Sequence, residues 1–175
     1  PALMGRRALV TGGARGIGAA IVAELRGAGV EVIAPPRTEL DLGEPESVDR
    51  WIRERGADPV DVLVNNAGVN EIGLVSELEV EAFRRMQRIN LESPFRLLGA
   101  CLPGMASRGW GRGVNVASIW ALGGRSGRGG YAAAKAGLVG LSRVAAIEVA
   151  ARGVLVNAVC PGYVATDLTR ANHTP

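Results

Sequence analysis

The chain has 175 residues, 47% of them hydrophobic, with 25 glycines, few aromatics and a net charge of +3. That length suits one domain with a substantial core, and the composition suits close helix–sheet packing more than an aromatic-rich sandwich. No stretch approaches 18 unbroken apolar residues and no charged-then-apolar leader opens the chain, so a soluble cytoplasmic protein with no membrane partner is expected.

Arg7–Thr11 reads as the first strand and Gly16–Gly27 as the first helix, joined by Thr11-Gly12-Gly13-Ala14-Arg15-Gly16-Ile17-Gly18. Glycines at this junction let the backbone turn tightly and approach a pyrophosphate, which the unpaired N–H groups of a helix start would hold. Glycines also mark ordinary turns, so the loop gains weight only from its strand–helix setting. Val30–Ala34 reads as the second strand. Dinucleotide folds often place a carboxylate after it for the ribose 2′-hydroxyl, but Ala34-Pro35-Pro36-Arg37 supplies none. Arg37 and Arg15 suit a 2′-phosphate instead, so NADP(H) is favoured over NAD(H). Glu39–Leu42 looks like a short third strand, reached with no helix before it, and Asp41 and Leu42 are read as flanking the adenine.

Pro45–Arg55 reads as a helix with Trp51 and Ile52 inward and proline in its first turn. Val60–Asn65 is a buried strand running into Asn65-Asn66-Ala67-Gly68. Ligands of open parallel sheets lie beyond such strand ends, although a simple polar turn explains the same residues. Glu79–Met105 reads as one long helix. In it Pro94 has no N–H to offer the Asn90 carbonyl, which would then be open to a water. A kinked helix without chemical role accounts for that pair equally. Gly113–Ala117 is a strand ending at Ser118, whose hydroxyl would either meet a substrate carbonyl or merely cap the strand. A flexible loop at Gly123–Gly130 leads to a helix at Tyr131–Ala151, and Val154–Val159 is the last strand. Strands of Val, Leu, Ile and Ala are buried on both faces, so the expected fold is doubly wound α/β, a Rossmann-like parallel sheet in a single domain spanning residues 1–175.

Lys135 is the only lysine in the chain and lies four residues after Tyr131, on the same face of a helix. At about 6 Å and an effective dielectric near 20, Coulomb's law gives roughly 2.8 kcal/mol, about two pKa units, in favour of the phenolate. A solvated surface pair is the alternative. Arg50, Arg53 and Arg55, like Arg84, Arg85 and Arg88, lie among acids as salt-bridged faces, so no nucleic-acid partner is expected. Cys101 and Cys160 fit no metal or redox spacing, and His173 is read as part of a frayed tail rather than a base.

Taken together, Thr11 to Gly18, Asn65 to Gly68, Asn90, Ser118, Tyr131-x3-Lys135, and Pro161-Gly162 followed by Thr166 resemble the short-chain dehydrogenase/reductase family over nearly the whole chain. The resemblance implies hydride transfer between a nicotinamide cofactor and a small carbonyl or alcohol substrate. It makes Tyr131 the general acid/base and Ser118 the group that orients the oxygen. Lys135 would lower the tyrosine pKa and bind the nicotinamide ribose. Asn90 would hold a relay water, and Pro161, Gly162, Val164 and Thr166 would line the nicotinamide and its phosphate. No metal is implied. A cofactor-binding protein without turnover, or an isomerase, dehydratase or epimerase, would share the fold. The resemblance also implies a homo-oligomer, dimer or tetramer, through the Glu79–Met105 and Tyr131–Ala151 helices. Relatives continue past Thr166 into a substrate-covering segment and a final strand, which this sequence is expected to lack. Ile119, Trp120, Leu122 and Arg125 follow Ser118 and suggest an apolar substrate with an acidic group, though loop packing explains them as well.

Overall fold

Five apolar runs become five parallel strands. The computed structural model describes residues 3–55 and 59–171, so His173 lies outside the described residues. In chain order the elements are β1 (Arg7–Val10), α1 (Gly16–Gly27), β2 (Glu31–Ile33), α2 (Pro45–Arg55), β3 (Val62–Asn65), α3 (Val80–Gln87), α4 (Ser93–Ser107), β4 (Gly111–Val116), α5 (Gly129–Val149), β5 (Val154–Val159) and α6 (Asp167–Ala171). The sheet order is β2-β1-β3-β4-β5, with every pairing parallel. The chain reverses its direction of travel across the sheet between β1 and β3, and a crevice opens there beyond the strands' carboxyl ends.

Alternate residues of each strand feed opposite faces, as the two-residue period requires. Leu9 and Leu63 pack with Trp51, Leu97, Leu98, Met105 and Val149 of α2, α4 and α5. Ala8, Val10, Val62 and Val64 pack with Val22 of α1. That is the doubly wound arrangement predicted from the apolar runs. On the α1 face β5 is less covered: Leu155 and Val159 remain 48% and 50% exposed.

Two elements differ from expectation. Glu39–Leu42 is not a strand but a turn that plugs Leu40 and Leu42 into the core beside Val48 and Trp51. A further parallel strand would need a crossover of a dozen or more residues, and Pro35 and Pro36 offer no N–H to a ladder. The turn is held by its own polar groups: Asp41 Oδ1 accepts the Gly43 N–H at 2.8 Å, and the Asp41 N–H donates to Ser47 Oγ at 3.0 Å. The long helix at Glu79–Met105 is also not regular. A π-helical turn at Arg88–Glu92 separates α3 from α4, and the Ser93 N–H donates to the Arg88 carbonyl five residues back. Pro94 follows at once in the first turn of α4, where its missing N–H leaves the helical ladder one donor short just behind the π-helical turn.

Candidate active site

The loop after β1 needs its glycines. Gly12 and Gly16 have φ of +66° and +55°, in the left-handed region. A Cβ on Gly18 would lie 2.1 Å from the Gly12 carbonyl oxygen, so the turn closes only without one. Arg15 precedes α1 in extended conformation; no side chain caps the helix and no acid sits in its first turn. Its N–H groups and positive dipole end are therefore left for an anion.

Thr11 and Asn66 lock this loop to the end of β3. Thr11 Oγ1 accepts the Asn66 and Ala67 N–H groups at 3.0 and 3.1 Å, while Asn66 Nδ2 donates to the Thr11 and Gly12 carbonyls at 3.0 and 3.2 Å. The Asn66 amide thus braces the loop, and a cofactor would meet the Ala67 and Gly68 backbone beside it. A cavity of about 440 Å³ runs from this cradle across the strand ends. All the candidate site residues except Asn90 line it, from Gly12 to Thr166. Arg37, at its mouth, donates through Nε to Asp41 Oδ2 at 2.9 Å, and no second carboxylate holds it among the described residues. Burial works to raise the Asp41 carboxyl, but the Gly43 N–H, Arg37 and the Arg85 charge outweigh it and hold it below 3.8.

Asn90 stands behind the cavity, wholly buried. Its amide is spent on Val69, accepting the N–H at 3.1 Å and donating to the carbonyl at 2.8 Å. A Cβ on Gly68 would lie 2.8 Å from Asn90 Oδ1 and 3.5 Å from Lys135 Nζ, so these three groups converge.

Ser118, Tyr131 and Lys135 meet at the far end. Ser118 does cap a short turn, accepting the Trp120 N–H at 3.2 Å, and its side chain is near enough to the Tyr131 phenol to favour its ionised form. Lys135 is 3% exposed, with Nζ 5.7 Å from the Tyr131 ring centroid and donating to the Val116 carbonyl at 2.7 Å. Burial pushes its pKa down to about 8, against the influence of Cys160. The expected lowering of the phenol is not what this arrangement produces. Burial raises the Tyr131 pKa above 10.0, and the Ser118 hydroxyl and Arg128 charge only partly oppose it. Desolvation of the phenolate is here a larger effect than attraction to the neighbouring charges.

Several cavity residues carried no readable signal in the sequence. Arg85 looked like one of a solvated arginine run; Arg84 and Arg88 do pair with Glu81, but Arg85 lines the cavity and holds Glu71 at 2.7 Å. Its helix face becomes a cavity wall only through packing. Thr11 was legible as the first residue of the glycine motif, but not as the brace between that loop and β3.

Comparison with known proteins identifies the family and the fold. The short chain dehydrogenase profile matches residues 37–175. The 3-oxoacyl-[acyl-carrier-protein] reductase of Vibrio cholerae is 39% identical over 191 residues, spanning 97% of this chain and 78% of that protein. The acetoacetyl-CoA reductase of Rhizobium meliloti is 39% identical over 187 residues, spanning 96% and 78%. Among solved structures, a candidate NAD(P)-dependent gluconate 5-dehydrogenase from Beutenbergia cavernae, with NADP bound at low occupancy, superposes with a TM-score of 0.92 at 35% identity, covering 97% of this chain and 77% of its own.

Proposed function

Because the chain belongs to the short chain dehydrogenase family, we propose that it is an oxidoreductase moving hydride between NADP(H) and a carbonyl or secondary-alcohol carbon, with Tyr131 as general acid and base. The observation that carries this reading is the meeting of two hydroxyls, Ser118 and Tyr131, with a buried ammonium at one end of a cavity whose other end is a glycine cradle.

The cradle fits a dinucleotide. Gly12, Gly16, Gly18 and the uncapped start of α1 would hold the pyrophosphate, with Ile17 beside them. Arg15 and Arg37 would take the 2′-phosphate, and Asp41 and Leu42 would border the adenine. Asn66, Ala67 and Gly68 would seat the ribose, and Pro161, Gly162, Val164 and Thr166 the nicotinamide side. NADP(H) is favoured by those two arginines and by the NADP in the Beutenbergia cavernae protein; NAD(H) is the second choice. The bound nicotinamide supplies the hydride donor or acceptor. Ser118 orients the substrate oxygen and Tyr131 gives it a proton in reduction or removes one in oxidation. Lys135 stabilises the phenolate left behind and reaches the nicotinamide ribose. Asn90 contributes through its main chain in the π-helical turn, holding a relay water, since its amide is engaged by Val69.

A homo-oligomer is part of this reading. Phe95 of α4 and Val144 and Ile147 of α5 are 59%, 55% and 80% exposed, an apolar helix surface suited to a second copy. Sedimentation that finds a monomer would remove that element.

The experiment is a panel of ketones and alcohols followed by nicotinamide absorbance, with Tyr131→Phe as the variant. Turnover should fall by about 10²-fold or more while cofactor affinity holds. Near-normal rates in Tyr131→Phe would refute the assigned role, and isomerisation or dehydration without net redox change would favour the rival chemistry on this fold.

A further inference from the structure

The loop between Ser118 and α5 carries two guanidiniums that the hydride transfer does not use. Arg125 is exposed, and its Nη1 donates to the Tyr163 hydroxyl. Tyr163 meets Trp120 edge-on with ring centroids 6.2 Å apart, and the Trp120 N–H is the one that Ser118 Oγ accepts. Arg125 is thereby tied through two aromatic residues to the hydroxyl that orients the substrate. Arg128, only 5% exposed, stands at the N-terminal boundary of α5, where the helix dipole adds positive potential. Its charge reaches Tyr131. Burial first, and then the Arg125 charge, hold its own pKa below the usual guanidinium range. Arg37, Arg85, Arg88 and Arg96 each hold a carboxylate, whereas among the described residues none pairs with Arg125.

We propose, building on the oxidoreductase reading above, that Arg125 receives the carboxylate of an acidic carbonyl substrate whose oxo group meets Ser118 and Tyr131. A planar guanidinium matches a carboxylate through two parallel N–H donors. The Tyr163 bond engages Nη1 and steadies the fork, leaving the Nε–Nη2 edge for the ligand. Val164, on the cavity wall and 40% exposed, offers the carbon chain between the two ends an apolar surface.

The test compares short 2- and 3-oxo acids with their methyl esters as substrates of the full chain with NADPH. The wild type should favour the acids by about tenfold or more in kcat/KM, and Arg125→Ala should cut that acid-to-ester ratio by about tenfold, to near parity. Arg125→Lys should restore only part of it, because an ammonium lacks the fork. A wild type that reduces esters as well as acids, or an Arg125→Ala protein that keeps the preference, overturns the proposal and leaves hydride transfer standing. If neither acids nor esters turn over although NADPH binds, the oxidoreductase reading has failed instead. Calorimetry of oxo-acid binding to the NADP⁺ complex then decides on Arg125, with equal affinity in Arg125→Ala overturning its role.

Discussion

Lys135 donates to the Val116 carbonyl at 2.7 Å, so the single lysine ties α5 to the carboxyl end of β4. The ammonium is almost wholly enclosed, and enclosure rather than the neighbouring phenol dominates its ionisation. A charge held this way is retained at a cost to stability.

Lys135→Met measures that cost. The depression from 10.5 to about 8 corresponds to roughly 3 kcal/mol. Below pH 8 both folded and unfolded chains are protonated and the full penalty stands. Between 8 and 10.5 the unfolded chain binds more protons, so wild-type stability rises with pH across that window. Lys135→Met is therefore expected to match or exceed the wild type in urea unfolding at pH 7, by up to about 2 kcal/mol, and to lose that advantage near pH 10. A variant much weaker at pH 7 would show that the Val116 hydrogen bond outweighs desolvation.

The raised Tyr131 pKa sets the pH behaviour of each direction. A phenol that ionises above 10.0 is protonated at neutrality and loaded for reduction. Reduction is expected to stay level between about pH 6 and 7.5, below the pKa of about 8 of the Lys135 ammonium, and oxidation to climb through the same range without a plateau. Initial rates in both directions check this. A reduction rate that falls with an apparent pKa near 7 would show the phenol lowered in the working enzyme.

Glycine substitutions separate cradle from scaffold. Gly18→Ala would drive a methyl group to 2.1 Å from the Gly12 carbonyl oxygen, so cofactor affinity is expected to fall by more than about tenfold as the loop reopens. Gly27→Ala, with nothing within 4 Å of its Cβ, is expected to leave affinity unchanged and to stabilise by about 0.5–1 kcal/mol. Fluorescence titration with NADPH and thermal unfolding distinguish the two; normal binding by Gly18→Ala would remove the cradle from the site.

Arg37→Ala tests cofactor choice. The change removes one guanidinium and also releases the Asp41 carboxylate at the cavity mouth, where it would repel a 2′-phosphate and suit a 2′-hydroxyl. NADPH affinity is expected to fall by about tenfold or more, with NADH affinity unchanged or improved. Equal losses for both cofactors would place the 2′-position elsewhere.

Residue type and spacing alone sufficed for the parallel sheet and the glycine loop after its first strand, and the family resemblance added most of the remaining cavity lining. Uninterrupted apolar strands leave no choice but helices on both faces, and the carboxyl ends of parallel strands necessarily share one edge. That is why Gly12, Ala67 and Ser118, at strand ends scattered through the chain, could be expected along one edge, whereas Pro161 was placed there by the family resemblance. Tertiary structure decided what depends on surroundings. Glu39–Leu42 has strand-like residues, yet becomes a turn because no helix precedes it to carry the chain across the sheet. Asn90 is polar and central, but which partner its amide takes was set by how close the π-helical turn brings Val69. Arg85 changed from a solvated charge to a cavity wall through packing alone. Tyr131 and Lys135 were placed one turn apart by their spacing, but the sign of the phenol's shift rests on how much water is excluded around it, and no count of residues along a chain reports that.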